Sequence, residues 1–198
     1  MHYRVGLFGG TFDPVHNGHL AIAHSAIKQL NLHQIIFLPA GNPPHKPNQP
    51  LTQNSIRKQM LEVSIRPFEY FTISEYDLNK KSYCYTIEML RHFTNSKIGE
   101  KSEFYLLVGE DSLRQFHKWY QVERIPEYAR IVVYPRDHGE KTSSSVFKSD
   151  EIIFLEAPIH DISSTKIRNM VQAGENITQL VPPGIEKIIF DLRLYKNN

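Results

Sequence analysis

The chain has 198 residues, enough for one globular domain to bury a hydrophobic core without a structural zinc or a disulfide framework. Lysine and arginine total 23 and aspartate and glutamate total 21, so the formal charge of +2 is too balanced for a protein whose partner is a nucleic acid. Cys84 is the only cysteine, which excludes an internal disulfide and favours a cytoplasmic location.

The first half of the chain alternates between strand and helix patterns. In chain order these are a strand at Tyr3–Phe8, a helix from Gly18 to Leu30, a strand at Gln34–Leu38, a helix from Asn54 or Ser55 to Arg66, a strand at Phe71–Ser74 and a helix at Thr86–Phe93. The segment Pro39–Pro50 is rich in proline, asparagine and glycine, so it is predicted to be a loop.

The second half continues the βαβ rhythm. It contains predicted strands at Phe104–Val108, Ile131–Tyr134 and Ile152–Leu155 and predicted helices at Ser163–Ala173 and Ile185–Leu194. The polar, serine-rich segment Arg136–Asp150 is predicted to be a mobile surface loop. The whole pattern predicts a single α/β domain over residues 1–198, with a mostly parallel sheet and helices on both faces. Ligands of such sheets bind beyond the carboxyl ends of the strands.

Neither a secretion signal nor a membrane span is predicted. The apolar run after Met1 is too short for the core of a signal peptide, and no small-residue cleavage site follows it. No other stretch approaches the roughly 20 apolar residues that cross a bilayer. The sequence therefore predicts no membrane partner.

A glycine-rich turn joins the first strand to the first helix. Residues 9–19 read G-G-T-F-D-P-V-H-N-G-H. Gly9 and Gly10 allow a sharp turn and a close backbone approach to a ligand, and the following helix offers free N–H groups. His16 and His19 can face the same concavity and donate to phosphate oxygens. This pattern predicts a phosphate-binding turn.

Two other interpretations of this turn stay open. It can be a structural turn with two surface histidines, or the histidines can be a pair of metal ligands. No cluster of cysteines or carboxylates supplies the further ligands that zinc requires, so no protein metal site is predicted. The turn also differs from the Walker string G-x-x-x-x-G-K-[ST] and from the dinucleotide fingerprint G-x-G-x-x-G.

A second candidate phosphate motif opens a later helix. Residues 162–168 read I-S-S-T-K-I-R. Serines at a helix start can cap it and leave backbone N–H groups for a polyphosphate, and Arg168 one turn later offers a fork to phosphate. Taken alone, the pattern fits a capped surface helix better. The preceding pair His160-Asp161 lacks the partners that a metal phosphohydrolase site needs, so we interpret it as part of a loop.

Together the two motifs resemble the signatures of the nucleotidyltransferase superfamily of adenylyl- and cytidylyltransferases. Residues 9–19 are similar to G-[GS]-[TS]-F-D-P-x-H-x-G-H, and residues 162–168 are similar to I-S-[ST]-[ST]-x-[IV]-R. The resemblance implies a Rossmann-like fold. It also implies that ATP is bound by Gly9, Gly10, Thr11, Phe12, His16, Gly18, His19, Gly109, Asp111, Ile162, Ser163, Ser164 and Arg168.

Three further stretches resemble the nicotinate mononucleotide branch of that superfamily. They are N-P-P-H-K at residues 42–46, Y-T-I-E-M-L at residues 85–90 and G-E-D-S-L-R-Q-F-H-K-W-Y at residues 109–120. The resemblance implies that nicotinate mononucleotide is bound by Thr11, Asn42, Lys46, Tyr85, Thr86, Trp119 and Tyr120. Without it, Lys46 reads as a solvated loop lysine and Trp119 as a half-buried packing residue.

The implied reaction transfers AMP from ATP to nicotinate mononucleotide, with in-line attack on the α-phosphorus and release of pyrophosphate. His16, His19, Lys46 and Arg168 are the implied catalytic residues. Mg²⁺ is expected to arrive bound to the ATP phosphates rather than in a protein cage. Arg136 is a further cation that can reach a phosphate.

The chain departs from the branch beside the expected nicotinate pocket. Cys84 and Glu88 stand where a serine and an aspartate are usual, whereas the phosphate motifs are unchanged. One alternative is an adenylyltransferase that prefers nicotinamide mononucleotide or another phosphorylated acceptor. Another is a nucleotide sensor that has lost catalysis, which the intact phosphate motifs disfavour. The oligomeric state is not predicted.

Overall fold

The computed structural model describes residues 3–42, 51–80, 82–136, 143–157 and 161–196. The strands β1 to β6 are Tyr3–Gly10, Gln34–Pro39, Phe71–Ile73, Ser102–Gly109, Arg130–Tyr134 and Ile152–Phe154. The helices α1 to α6 are Asn17–Leu30, Asn54–Ile65, Thr86–Thr94, Glu110–Leu113, Ser164–Gln172 and Ile185–Asp191. Short 3-10 turns lie at Gly99–Lys101, Phe116–Lys118, Val122–Glu127 and Ser149–Glu151.

The six strands of the described residues form one parallel sheet in the order β3-β2-β1-β4-β5-β6. The chain moves outward from β1 to β3 and then returns to β4 on the other side of β1. At such a switch in strand order a crevice opens beyond the carboxyl ends of the two central strands. Gly10 ends β1 and Gly109 ends β4, so both predicted ligand-binding turns meet at this crevice. The predicted α/β fold with a parallel sheet is confirmed.

Alternate side chains of the strands enter two hydrophobic clusters, one on each face of the sheet. Phe8 and Leu107 pack on the face covered by α1, α2, α5 and α6. Leu7 and Leu106 pack on the face covered by α3 and the turns after β4. Because the central strands are buried on both faces, they are nearly continuous apolar runs. No helix within the described residues is long and apolar enough to cross a bilayer.

The element ends around the crevice differ slightly from the predictions. Gly9 and Gly10 continue the strand instead of opening the loop, because they still pair with the end of β2. The first helix begins one residue early, at Asn17, because His16 is extended (φ −144°) and serves as the N-cap. The short helix α4, which was not predicted, begins directly after Gly109.

The segment predicted as a surface loop at residues 136–150 is anchored in its second half. Residues 137–142 lie outside the described ranges. Phe147 is buried and its ring packs edge-on against Phe116, with the ring centroids 5.9 Å apart. The hydroxyl of Ser144 accepts the backbone N–H groups of Val146 and Phe147 at 3.0 Å. The mostly polar composition led to the prediction of a mobile loop, whereas the single phenylalanine of the segment, Phe147, anchors its second half to the core.

Candidate active site

A cleft of about 530 Å³ opens at the carboxyl ends of β1 and β4. Its walls are the turn after β1, the start of α3, the residues that follow β4 and the start of α5. The predicted residues in its lining are Gly9, Gly10, Thr11, His16, His19, Tyr85, Thr86, Gly109, Asp111, Trp119, Tyr120, Ser163, Ser164 and Arg168. Residues from separate motifs therefore line a single cavity.

The remaining predicted residues lie elsewhere. Phe12 is 1% exposed and packs beneath the turn in the aromatic core. Gly18 and Ile162 line a second, smaller cavity. Asn42 is exposed and is not among the lining residues of either cavity. Lys46, together with the rest of its proline-rich loop from residue 43 onward, lies outside the described residues.

The smaller cavity, of about 150 Å³, adjoins the cleft. The two share His16, Arg136 and Ser163. Its other lining residues are Gly18, Ile22, Pro135, Asp161 and Ile162. Its lining thus mixes apolar residues such as Ile22, Pro135 and Ile162 with polar and charged ones, a combination that can hold a heterocyclic ring with hydrogen-bonding groups.

His16 and His19 stack on each other at the start of α1. Their ring centroids are 3.6 Å apart with an interplanar angle of 24°. Both residues are nearly buried, at 2% and 7% exposure. The ring of His19 also meets Phe12 edge-on, with the centroids 4.9 Å apart. Packing on two sides fixes the His19 ring at the wall of the cleft.

The protonation of His19 follows from its surroundings. Its Nδ1 accepts the backbone N–H of His16 at 3.2 Å, so the neutral ring carries its proton on Nε2. Burial, and to a smaller extent the nearby His16 and Arg136, hold the pKa of His19 well below its usual range. His19 therefore presents a neutral N–H donor at neutral pH.

This lowered pKa predicts a pH-dependent stability. Below pH 6.5 the unfolded chain takes up a proton at residue 19 that the folded chain does not. The free energy of unfolding therefore decreases as the pH is lowered below 6.5. When the pH is lowered from 7.5 to 5.5, the free energy of unfolding should decrease in both proteins. We expect this decrease to be about 1 kcal/mol smaller in the His19→Gln variant than in the unchanged protein. Urea denaturation at both pH values measures the difference.

His117→Gln is the control, because His117 is exposed on the turn after α4. Burial also lowers the pKa of His24, so part of the pH dependence remains in the His19 variant. An unchanged pH dependence in His19→Gln would contradict the neutral, buried state of this ring.

The start of α5 lies directly against the glycine-rich turn at the wall of the cleft. Ser163 caps the helix, since its Oγ accepts a backbone N–H of the first turn at 3.1 Å. The hydroxyl of Ser164 donates to the carbonyl of Pro14 at 2.9 Å, and NH1 of Arg168 donates to the carbonyl of Asp13 at 2.8 Å. The two phosphate motifs are thus joined directly, and α5 is more than a capped surface helix.

Arg136 lines both cavities. Its Nε lies 3.6 Å from Oδ1 of Asp111, and its NH2 lies 3.4 Å from the hydroxyl of Tyr134. Its backbone N–H donates to the buried carboxylate of Glu110 at 3.2 Å. Arg136 therefore lies where the two cavities adjoin, and its contact with a phosphate stays a prediction.

The part of the cleft wall formed by the start of α3 and the residues after β4 is aromatic. Trp119 is half-buried and packs on Phe116, with the ring centroids 4.7 Å apart. Tyr120 is 51% exposed, and its ring lies 4.9 Å from that of Tyr85. Thr86 begins α3, whose first backbone N–H groups have no partner within the helix. The arrangement suits a flat ring that carries a negative substituent.

Sequence reasoning missed several charged residues around the site. Asp77 and Arg114 line the cleft. Arg57 is fully buried in α2 and donates to the carbonyl of Thr11 at 2.6 Å. The sequence did contain a signal for Arg57, because it lies on the apolar face of a predicted helix. An arginine in that position is buried, and a buried arginine requires hydrogen-bond or charged partners.

The unusual Cys84 also lines the cleft. Burial, and to a smaller extent the carboxylate of Asp77, raise the pKa of its thiol to about 11. The thiol therefore stays protonated at neutral pH and does not supply a thiolate nucleophile.

The described residues contain no group of three or more His, Cys, Asp or Glu side chains that could hold a metal ion. The carboxylate of Asp111, at the wall of the cleft, faces Arg136.

Known proteins resemble this chain in sequence and in fold. Residues 7–170 match the model of the family described as Cytidylyltransferase-like. A "Probable nicotinate-nucleotide adenylyltransferase" of Clostridium kluyveri is 41% identical over 98% of this chain and 99% of its own length. A relative of the same name from Clostridium tetani is 40% identical, with the same coverage of both chains.

Among solved structures, the Plasmodium falciparum nicotinic acid mononucleotide adenylyltransferase complexed with NaAD has a TM-score of 0.77 and 19% sequence identity. The alignment covers 98% of each chain. A putative nicotinate-nucleotide adenylyltransferase of Vibrio parahaemolyticus has a TM-score of 0.69 at 19% identity, over 98% of this chain and 96% of the other. These likenesses support the predicted Rossmann-like fold.

Proposed function

The chain belongs to the cytidylyltransferase-like family, and we propose that it is a nicotinate-nucleotide adenylyltransferase. It transfers AMP from ATP to nicotinate mononucleotide and releases pyrophosphate, giving deamido-NAD as a step of NAD biosynthesis. One observation carries the proposal. Two joined phosphate motifs and an aromatic pocket line the same cleft, so a triphosphate and a pyridine nucleotide can meet there.

The reaction needs no nucleophile from the protein. An oxygen of the 5′-phosphate of nicotinate mononucleotide forms a bond to the α-phosphorus, and the bond from that phosphorus to the β-phosphate oxygen breaks. Catalysis then depends on holding the two substrates in line and on stabilising charge at the phosphoryl oxygens. The buried donors around the cleft are suited to both tasks.

Each end of the cleft has a separate task in this proposal. His16 and His19 hold oxygens of the α- and β-phosphates, while Arg168 and the start of α5 hold the departing pyrophosphate. The adenine occupies the smaller cavity beside Ile162. The nicotinate ring stacks on Trp119, and N–H groups at the start of α3 receive its carboxylate.

Two parts of the proposal rest on the resemblance alone. Lys46, outside the described residues, would bridge the two substrates as a point charge. Mg²⁺ would enter with ATP and neutralise charge on its phosphates. Within the described residues, His19, Arg136 and Arg168 are the cleft groups that would orient such a complex.

The proposal is tested by the choice of acceptor. Pyrophosphate release from ATP and Mg²⁺ is measured with nicotinate mononucleotide, nicotinamide mononucleotide or 4′-phosphopantetheine. We expect nicotinate mononucleotide to be preferred about tenfold or more in kcat/KM, because backbone N–H donors favour a carboxylate over a neutral amide. The His19→Ala variant serves as the blank.

The other outcomes correspond to the alternatives. A preference for nicotinamide mononucleotide or 4′-phosphopantetheine would support adenylyl transfer as the reaction. It would contradict the proposal that the aromatic pocket binds the nicotinate ring and its carboxylate. Tight ATP binding without turnover of any acceptor would indicate a nucleotide sensor instead of an enzyme.

A further inference from the structure

The turn between β1 and α1 contains a buried carboxylate to which the proposed reaction assigns no role. Asp13 is 1% exposed. Its Oδ2 accepts the backbone N–H of Thr52 at 3.1 Å, and its Oδ1 accepts the hydroxyl of Tyr195 at 2.7 Å. Burying a carboxyl group without hydrogen-bond partners is costly, and these two donors offset part of that cost.

The backbone of the same residue is tied to the phosphate machinery. The carbonyl of Asp13 accepts NH1 of Arg168, and the next carbonyl, that of Pro14, accepts the hydroxyl of Ser164. The side chain of Asp13 therefore holds one side of a peptide segment whose other side orients Arg168. A shift of Asp13 would change the position of the arginine relative to α1.

Tyr195 reaches Asp13 from the segment that follows α6, across 182 positions of sequence. Its backbone φ is 62°, in the left-handed region that residues other than glycine seldom adopt. Such conformations persist where the surroundings hold them and are frequent near functional sites. Burial and the Asp13 carboxylate raise the pKa of Tyr195, so its phenol stays protonated and remains a donor.

We propose that Tyr195 is a positioning residue for adenylyl transfer, acting through the carboxylate of Asp13. The hydroxyl fixes Asp13, and Asp13 fixes the turn from which Arg168 is oriented towards the phosphates. This role rests on the proposed function, because it assigns a task within the same cleft. Tyr195 itself is not among the lining residues of the cleft or of the smaller cavity.

Removal of the hydroxyl frees one side of the turn. A misplacement of about 1 Å caused outside the reacting groups can cost a factor of about 100 in rate, so we expect Tyr195→Phe to lower kcat about tenfold or more. The KM for nicotinate mononucleotide should stay within about twofold, because Thr86 and Trp119 belong to other elements of the cleft wall than the turn and α5.

The matched control is Tyr105→Phe. The hydroxyl of Tyr105 also donates to a carboxylate, Oε2 of Glu103 at 3.0 Å, but in β4 and outside the cleft lining. Both variants lose one phenol–carboxylate hydrogen bond. Tyr195→Phe should lower Tm more than Tyr105→Phe, because Asp13 is buried whereas Glu103 is partly exposed and also pairs with Arg4 and Arg130. The three proteins are compared in kcat, KM, Tm and affinity for magnesium pyrophosphate by calorimetry.

A fall in kcat and in pyrophosphate affinity confined to Tyr195→Phe, measured at a temperature well below the Tm of all three proteins, supports the proposal. Values of kcat and pyrophosphate affinity equal to those of Tyr105→Phe overturn it and leave Tyr195 a purely structural residue. If the unchanged protein makes no deamido-NAD, the proposed function fails. The pyrophosphate affinity then still decides whether Tyr195 positions the phosphate site.

Discussion

Replacing His19 with alanine is expected to slow deamido-NAD formation by about 100- to 1,000-fold, as when one fixed donor to a developing oxyanion is removed. The ring is held between His16 and Phe12, and its Nδ1 is occupied by the His16 N–H. Its Nε2 proton is therefore oriented before the substrates arrive. Because charge on the α-phosphoryl oxygens builds in the transition state, kcat should fall more than ATP affinity.

His24→Ala is the control for this prediction, because His24 lies on the same helix outside the cleft lining. Its ring packs on Phe68 at 4.6 Å, and its Nδ1 lies 3.3 Å from the Tyr70 hydroxyl. We expect its kcat to stay within about twofold of the unchanged protein, since its contacts concern local packing. Equal kcat values for the two alanine variants would show that the reaction does not use the His19 donor.

The phosphate end of the cleft was predictable because its chemistry lies in contiguous residues. The turn at residues 9–19 and the helix start at residues 162–168 each contain their polar groups within a few positions of each other. Each of these two segments follows a predicted apolar strand, so both were expected beyond the carboxyl edge of the sheet. The structure brings His16, His19 and Arg168 to one cleft, as predicted. Their individual roles in the reaction stay predictions.

The contacts that hold the turn in place were not predictable. Arg57 donates to Thr11 across 46 positions, and Tyr195 donates to Asp13 across 182. Neither contact leaves a periodic signal, because each depends on how distant helices pack against the same loop. Asp13 reads in sequence as an ordinary turn residue. The position of Arg57 on the apolar face of its helix signals burial but does not show which groups it contacts.

Short elements were missed for a different physical reason. The helix at Glu110–Leu113 has four residues, which is close to one turn and too few to show an apolar period. The first helix is capped by His16, which is not a typical N-cap residue, so its start was predicted one residue late. The aromatic end of the cleft was found through the resemblance, since half-buried tryptophans usually only pack.

Arg57→Met is expected to lower the free energy of unfolding by about 3–5 kcal/mol, the cost of removing one charged partner from a buried network. The guanidinium donates to the carbonyls of Thr52 and Thr11 at 2.9 and 2.6 Å and to Oδ1 of Asn54 at 2.5 Å. Methionine fills similar space but leaves these acceptors without their donor. It also removes a positive charge near the buried carboxylate of Asp13.

Lys58→Met provides the control, because Lys58 is the next residue of α2 and its ion pairs with Glu62 and Glu75 are at the surface. Urea denaturation should show a much smaller loss for this variant, because exposed ion pairs contribute little to the free energy of unfolding. Similar losses in both variants would contradict a structural role for the buried guanidinium. Arg57 also holds the turn through the carbonyl of Thr11, a residue of the cleft lining. The Arg57→Met variant should therefore show faster amide hydrogen exchange in the turn at residues 11–16. Protection of the turn equal to that in the unchanged protein would mean that Arg57 stabilises only the packing of α2.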